Sequence, residues 1–377
     1  MKKIVRACTV SMSLGFVQGM LPDLSKRYEV VLVSSPGPEM EKLSDEGLVR
    51  CIAVPMERHI SPLKDLKSLL TLIKVFWNER PQMIHSMTPK AGLLCMVAGW
   101  LTRVPVRVHT FTGLVFPTAT GLKRRVLMLT DTVTCRCATH VIPEGEGVKA
   151  DLQNYGITKK PLRVLGYGNV RGIDMQRFCR RTEIEAKAEI IRRVDTFTFL
   201  FVGRIVRDKG VNELVAAFQR LYQELPNARL LLIGFFEKNL DPVSEDTNRL
   251  ITEHPGIEML GEKTGDELIA YYAASDCFVF PSYREGFPNT VIEAGAMGLP
   301  CIVTDINGSR EIIAQGENGI IIPPKDDVAL YHSMKQIISD KALRERMGRN
   351  ARRMIANRFE QSFVRQCLYD FYDKILG

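Results

Sequence analysis

Short runs of uninterrupted apolar, β-branched residues alternate with amphipathic helical stretches along most of the chain, and this alternation restricts the fold more than any other feature. A strand that is apolar throughout, rather than at every second residue, is buried on both faces, as in a parallel sheet covered by helices on each side. Such runs occur at 3–10, 29–34, 83–85, 106–110 and 140–143, and again at 198–202, 229–234, 258–260, 277–280 and 301–304. Between them lie helical patterns, the clearest at 210–224, where Val211, Leu214, Val215, Phe218 and Leu221 recur at helical spacing. Repeated β-α units of this kind build Rossmann-like α/β domains, and 377 residues accommodate two of them. With 45% hydrophobic and 25% charged residues, each half can bury its own core. The glycine-rich stretch 162–178 lacks helical period and is the expected crossover, which sets domains at 1–168 and 169–356. The tail 357–377 carries Phe359, Phe363, Leu368, Tyr369, Phe371 and Tyr372, a strongly aromatic helix expected to pack back on the N-terminal domain.

Several classes are excluded. The longest apolar run, 91–101, has 11 residues, short of the roughly 20 that a spanning helix needs. The opening MKKIVRACTV has Arg6 inside its apolar stretch and no convincing cleavage site, so it reads as a first strand and not as a secretory leader. Nine cysteines, most of them in apolar runs such as AGLLCMVAG and SDCFVF, behave as small hydrophobes and point to the reducing cytoplasm. Cys135 and Cys137 alone are close together, without a second pair or a histidine at ligand spacing, so no metal site is expected. Residues 1–170 hold 23 Lys and Arg against 13 Asp and Glu, whereas the remainder holds 28 against 30. The basic half implies either a solvated surface or a polyanionic partner, and its cations are not interleaved with aromatics as in nucleic-acid modules, so no nucleic acid is expected.

The densest chemistry lies in PSYREGFPNTVIEAGAMGLPCIVTD (281–305). A buried strand ends at Pro281, a loop presents Arg284, Glu285, Gly286, Phe287 and Pro288, and a helix begins near Asn289 and Thr290. Free backbone N–H groups and a helix dipole at a strand's carboxyl end suit a phosphate-bearing ligand. Glu285 and Glu293 stand eight apart, and a carboxylate can accept two vicinal sugar hydroxyls at once. Glu293 also fits a capping box opened by Thr290, and the two roles can coexist. A second constellation, FVGRIVRDKG (201–210), places Arg204 and Lys209 just past a strand and ahead of a helix, where two cations can neutralise a departing diphosphate.

Together with AASDCFVFPS and ENGIIIPPKD, these segments resemble the donor domain of family-4 glycosyltransferases, retaining enzymes of the GT-B architecture. HSMTPKAGLL, HTFTGLVFPTATGL and GYGNVRGIDMQRF resemble, in order, the first domain of the bacterial subgroup that assembles surface polysaccharides on a polyprenyl-diphosphate carrier. The resemblance implies two Rossmann-like domains facing a central cleft, the first binding acceptor and the second a nucleotide-sugar donor. It implies that Arg204 and Lys209 hold the donor diphosphate, Glu293 the ribose and Glu285 the sugar, with backbone amides from Gly286 through Phe287, Pro288 and Asn289 to Thr290 as a cradle. It implies no metal and no other cofactor. On the acceptor side it singles out Thr112, His109, Lys90, Ser13 and Gly15. Relatives often carry histidine where this chain has Thr112, and either Thr112 or His109 stands in for it. Without a well-placed base, the expected route is front-face displacement with retention, driven by Arg204 and Lys209.

The helical stretch from Ser61-Pro62 aligns Leu63, Leu66, Leu70, Ile73 and Trp77, with Lys64, Lys67 and Lys74 elsewhere and Arg58 and His59 just before it. Two readings stand: a helix covering the sheet with this face, or a basic interfacial helix drawn to anionic lipid, with Lys123, Arg124 and Arg125 as a second contact. The expected function is transfer of an N-acetylhexosamine or hexose from UDP to a polyprenyl-diphosphate-linked glycan by a peripheral enzyme at the inner face of the cytoplasmic membrane. The competing readings are a non-enzymatic nucleotide-sugar binder or scaffold and a nucleotide-sugar epimerase of the same fold.

Overall fold

The computed structural model describes residues 1–237 and 241–377. Contacts divide the chain into two units, one made of Met1–Gly172 with Ser362–Gly377 and the other of Ile173–Gln361. In the first, β1 (Lys3–Ala7), β2 (Glu29–Ser34), β3 (Arg50–Ala53), β4 (Met83–Met87), β5 (Val106–Phe111) and β6 (His140–Pro143) form a sheet in the order β3-β2-β1-β4-β5-β6. In the second, β7 (Phe197–Val202), β8 (Ala228–Ile233), β9 (Ile257–Met259), β10 (Cys277–Phe280), β11 (Cys301–Thr304) and β12 (Gly319–Ile322) take the order β12-β11-β10-β7-β8-β9. Every pairing is parallel. Counted from its own first strand, each sheet follows the same doubly wound order, so each has one switch point, β1/β4 and β7/β10, from which connections leave in opposite directions.

The apolar runs become strands because both of their faces are covered. Val5, Val31 and Ile84 meet Leu72, Phe76 and Leu94 on one side of the first sheet, and Ile4, Leu32 and Met83 meet Leu21, Leu24 and Tyr372 on the other. In the second unit Phe199, Phe201, Leu231 and Phe278 pack with Leu214, Phe218, Tyr272 and Ile292. The helix read at 210–224 is Val211–Glu224, with its repeating Val and Leu residues fully buried. The edge strands β3 and β12 were not foreseen. β3 is half exposed along its length and lacks the apolar signature.

The aromatic tail is two helices rather than one. Lys341–Phe359 ends with Phe359 buried in the second unit's core, and Gln361–Leu376 follows, its Leu368, Tyr369, Phe371 and Tyr372 buried in the first unit. The break at Glu360 is held by a strand-like bridge to Ile173, with Ile173 N donating to Phe359 O at 2.8 Å and Gln361 N to Ile173 O at 2.9 Å. The unit boundaries therefore fall at 172/173 and 361/362, where the sequence reading set 168/169 and 356/357.

Candidate functional site

At the β7/β10 switch point the loop after β7 carries Arg204 and Lys209, and the loop after β10 carries Glu285. Lys209 closes a single tight turn, Arg207–Lys209, before Gly210 enters the left-handed region at φ 70° and the helix Val211–Glu224 begins. Only glycine fits at 210, because a Cβ there would lie 2.0 Å from Pro281 O. This close approach brings the two loops side by side. Asp208 O accepts from Tyr283 N at 2.8 Å and from Ser282 Oγ at 3.2 Å, and Arg284 Nη2 pairs with Asp208 Oδ2 at 3.1 Å.

Lys209 Nζ meets Glu285 Oε1 directly, and Ser282 Oγ donates to the same oxygen at 2.8 Å. Their side chains are 14% and 16% exposed, so the pair is mostly withdrawn from water yet within reach of a ligand at the sheet edge. The Lys209 ammonium also lies 5.6 Å over the Phe280 ring. Arg204 Nη1 is held by Glu237 Oε2, from the loop after β8. The helix Asn289–Ala296 starts with Pro288 as its N-cap and no side-chain cap, so Thr290 does not open a capping box. Glu293 instead accepts from the hydroxyl of Tyr272 at 3.1 Å. Tyr272 is fully buried, and burial together with this carboxylate raises its hydroxyl far above the ordinary phenol value, which keeps it a donor. Of the cradle residues, Phe287 is a core anchor, edge-on to Phe359 at 5.4 Å, while Gly286 and Pro288 are buried and Asn289 and Thr290 half-buried. The structure thus joins Lys209 to Glu285, and sets Arg204 and Glu293 at the same edge with their own partners. Glu237 and Tyr272 escaped the sequence reading, because each reaches its partner from a distant segment, and Ser282 escaped it although it lies only three residues from Glu285.

The β1/β4 switch point is stitched by hydroxyls instead. Thr9 N donates to Thr88 Oγ1 at 3.0 Å, the two hydroxyls lie 2.7 Å apart, and Ala91 N donates to Thr9 Oγ1 at 3.1 Å. These bonds hold Thr88 at φ 71°, an uncommon conformation for a β-branched residue. Lys90 is tied to Asp65 at 2.6 Å and to the His59 carbonyl, fastening the segment before the helix Pro62–Glu79. Ser13 is half-buried and Gly15 exposed in the turns after β1, and Thr112 is half-buried just past β5. His109 lies in the core, its ring sharing a hydrogen bond with Ser86 Oγ at 2.9 Å and packed against Gly92, and burial lowers its pKa to about 3. It is a neutral packing residue, which leaves Thr112 as the candidate at that strand end. A cluster that the sequence did not reveal underlies the C-terminal helix: buried Arg6 donates to His85 Nδ1 at 2.9 Å and to the Tyr372 hydroxyl, and His85 Nε2 lies 2.7 Å from Thr110 Oγ1. Because Nδ1 accepts from Arg6, the His85 proton sits on Nε2, and burial beside Arg6 holds the ring neutral.

The helix Pro62–Glu79 turns Ser68, Leu72 and Phe76 inward, with Leu69, Ile73 and Val75 partly buried. Leu63, Leu66, Leu70 and Trp77 are 85%, 54%, 59% and 64% exposed. The face read as a sheet cover is therefore, apart from Ile73, the outer one. Exposed Lys64, Lys67 and Lys74 border it. Leu122 and Leu129 are also exposed on the helix Gly121–Cys137, which carries Lys123, Arg124 and Arg125, and Trp100 and Leu101 at the end of the helix Pro89–Leu101 that lies between the two. No helix among the described residues is long and apolar enough to cross a membrane.

Two family models match: Glycosyl transferases group 1 over residues 183–354, and Glycosyl transferase 4-like domain over residues 17–168. The chain is 34% identical, over its full length and 98% of the other protein, to the capsular polysaccharide biosynthesis glycosyltransferase CapM of Staphylococcus aureus. It is 27% identical, over 90% of its length and 87% of the other, to the Escherichia coli UDP-Gal:alpha-D-GlcNAc-diphosphoundecaprenol alpha-1,3-galactosyltransferase. Among solved structures, Anabaena Alr3699/HepE in complex with UDP superposes with a TM-score of 0.81 at 16% identity, covering 99% of this chain and 100% of that one. That likeness shows the fold, two Rossmann-like domains of the GT-B kind.

Proposed function

This chain belongs to the group 1 glycosyl transferases with a GT4-like first domain, and we propose that it moves a sugar from UDP to a polyprenyl-diphosphate-linked glycan, with retention of configuration. The observation that carries this reading is the pairing of Lys209 with Glu285, beside Arg204, at the β7/β10 switch point. In this reading Arg204 and Lys209 bind the donor diphosphate and stabilise the charge that grows on its leaving oxygen as the glycosidic bond breaks. Glu285, freed from Lys209 by the arriving phosphate, faces the sugar hydroxyls. Glu293, oriented by the Tyr272 hydroxyl, accepts from the ribose. The leaving phosphate oxygen takes the proton of the attacking acceptor hydroxyl, so no protein base and no metal is required.

The acceptor class follows from relatives such as the Escherichia coli enzyme, whose name specifies a diphosphoundecaprenol acceptor. The outer face of the helix Pro62–Glu79 supports the same reading: an apolar stripe bordered by lysines is the surface of an interfacial helix, and it would hold the enzyme at the anionic inner face of the cytoplasmic membrane. A donor screen tests the proposal. The protein is incubated with UDP-, GDP- and ADP-sugars, with and without a bacterial lipid extract, in the presence of EDTA, and nucleotide release is followed. UDP release that depends on lipid and survives EDTA is expected. Release with another nucleotide only, or none above hydrolysis, overturns it, and interconversion of UDP-sugars without release would assign an epimerase.

A further inference from the structure

The loops after β7 and β8 run together beyond their strands. Gly203 N donates to Ile233 O at 2.9 Å, Ile205 N to Phe235 O at 2.8 Å, and Ile205 pairs with Phe236 in a parallel bridge. This approach needs a glycine at 234, where φ is 147° and a Cβ would lie 1.8 Å from Gly203 O. Arg204 and Glu237 flank this bridge, and their side chains meet. A second fastening follows at once: Arg207 N donates to Asp241 O at 2.9 Å, and Asp208 N to Asp241 Oδ2 at 2.7 Å. The bridge and these bonds hold the two segments side by side, so that the Glu237 carboxylate meets Arg204. Its side chain is 19% exposed, and it lines a small cavity with Ile205, Phe236, Val243, Glu245 and Asn248.

We infer that Glu237 is the resident counter-ion of the donor site, holding Arg204 while the site is empty and yielding it to the diphosphate of the incoming nucleotide. The inference rests on the reading of this edge as the donor site. A diphosphate carries at least two negative charges, and a guanidinium binds either it or a carboxylate through the same planar donors, so the two compete for Arg204. Glu237 therefore acts as a positioning residue. It keeps Arg204 extended toward the site before binding, opposes the diphosphate once bound, and reclaims Arg204 as nucleoside diphosphate leaves.

The test measures UDP affinity by calorimetry, and KM and kcat for the UDP-sugar found active, in Glu237→Gln, Glu237→Asp and Arg204→Ala. A partly exposed ion pair of this kind shifts an equilibrium by about two- to fivefold. Glu237→Gln is expected to tighten UDP binding and lower KM by about that factor with no gain in kcat. Glu237→Asp, which keeps the charge, is expected to stay near wild type, and Arg204→Ala to weaken binding. Unchanged or weaker UDP binding in a folded Glu237→Gln protein, with Arg204→Ala still impaired, overturns the inference alone. A wild-type protein that binds no UDP brings down both this inference and the donor reading.

Discussion

The two sheets share a strand order but use their switch points differently. At β7/β10 the crevice edge carries opposed charges drawn from two short segments, 201–210 and 281–293, and Lys209 and Glu285 neutralise one another there. At β1/β4 the same topological position is closed by threonine hydroxyls and by Lys90 tied to Asp65, Arg6 is buried on His85 and Tyr372 within the sheet, and the lysines Lys64, Lys67 and Lys74 lie outside on the helical layer. In the proposed function, one fold thus serves two tasks. A charged switch point suits a diphosphate, and a neutral one with a basic, apolar outer face suits a substrate that stays on a membrane. The contrast teaches that topology says where a ligand can bind, and the loops say what kind.

The sharpest way to break this comparison is kinetic. Lys209→Ala and Arg204→Ala should each lower turnover about 10²–10³-fold, the usual loss when one group that meets developing charge is removed. Thr112→Ala, just past β5 in the first unit, should cost less than about tenfold. Steady-state nucleotide release measures all three, and Thr112→Ala as the worst of them would reverse the assignment of roles. Next in size is a stability effect confined to the first unit. Leu72 is fully buried on the inner face of its helix, so Leu72→Ala should destabilise by about 2–5 kcal/mol in urea unfolding.

The charged β7/β10 edge was legible in the sequence because its parts are local. Arg204 and Lys209 lie five residues apart, Glu285 and Glu293 eight, and strand-loop-helix grammar places each pair at a strand's carboxyl end. The partners that orient them were not legible. Glu237 reaches Arg204 only through the β7–β8 register, and Tyr272 reaches Glu293 only through packing of its helix on the sheet. The first unit shows a different loss. Helical spacing placed Leu63, Leu66, Leu70, Ile73 and Trp77 on one face, of which all but Ile73 turn outward, because periodicity does not state whether a face turns in or out. Ser68, Leu72 and Phe76 form an equally apolar inner face, so the helix is apolar on both sides and only its neighbours decide. His109 failed for the complementary reason: a polar residue in a buried strand looks the same in sequence whether it packs or reacts.

Asp131 sharpens the comparison by pH. It is buried on the inward side of the helix Gly121–Cys137 with no hydrogen bond or ion pair to it among the described residues, and burial pushes its pKa up to about 7. Between the ordinary carboxyl value near 3.8 and about 7, the unfolded chain has released this proton and the folded one retains it, so raising the pH favours unfolding. The contribution is fully present below about pH 4 and fully lost above about pH 7. It should amount to about 4 kcal/mol, and Asp131→Asn should remove that slope from urea-unfolding free energies measured across pH 4–8. A slope that survives the substitution would place the burden on another group.

The smallest effect on the fold is the most informative about the surface. Leu70 lies on the outer face, two residues from Leu72, and truncating an exposed leucine removes almost no buried contact. Leu70→Ala should therefore change stability by less than about 0.5 kcal/mol, against the several kcal/mol expected for Leu72→Ala. If the outer face inserts among lipid headgroups, the same substitution gives up the burial of three methyl-sized groups on binding, and affinity for vesicles containing anionic lipid should fall by about five- to tenfold. Raising the salt should weaken the binding of both proteins alike, because Lys64, Lys67 and Lys74 remain. Equal vesicle binding by wild type and Leu70→Ala, with both lost at moderate salt, would mean that the helix meets the membrane through its lysines alone and that its apolar stripe answers to another partner.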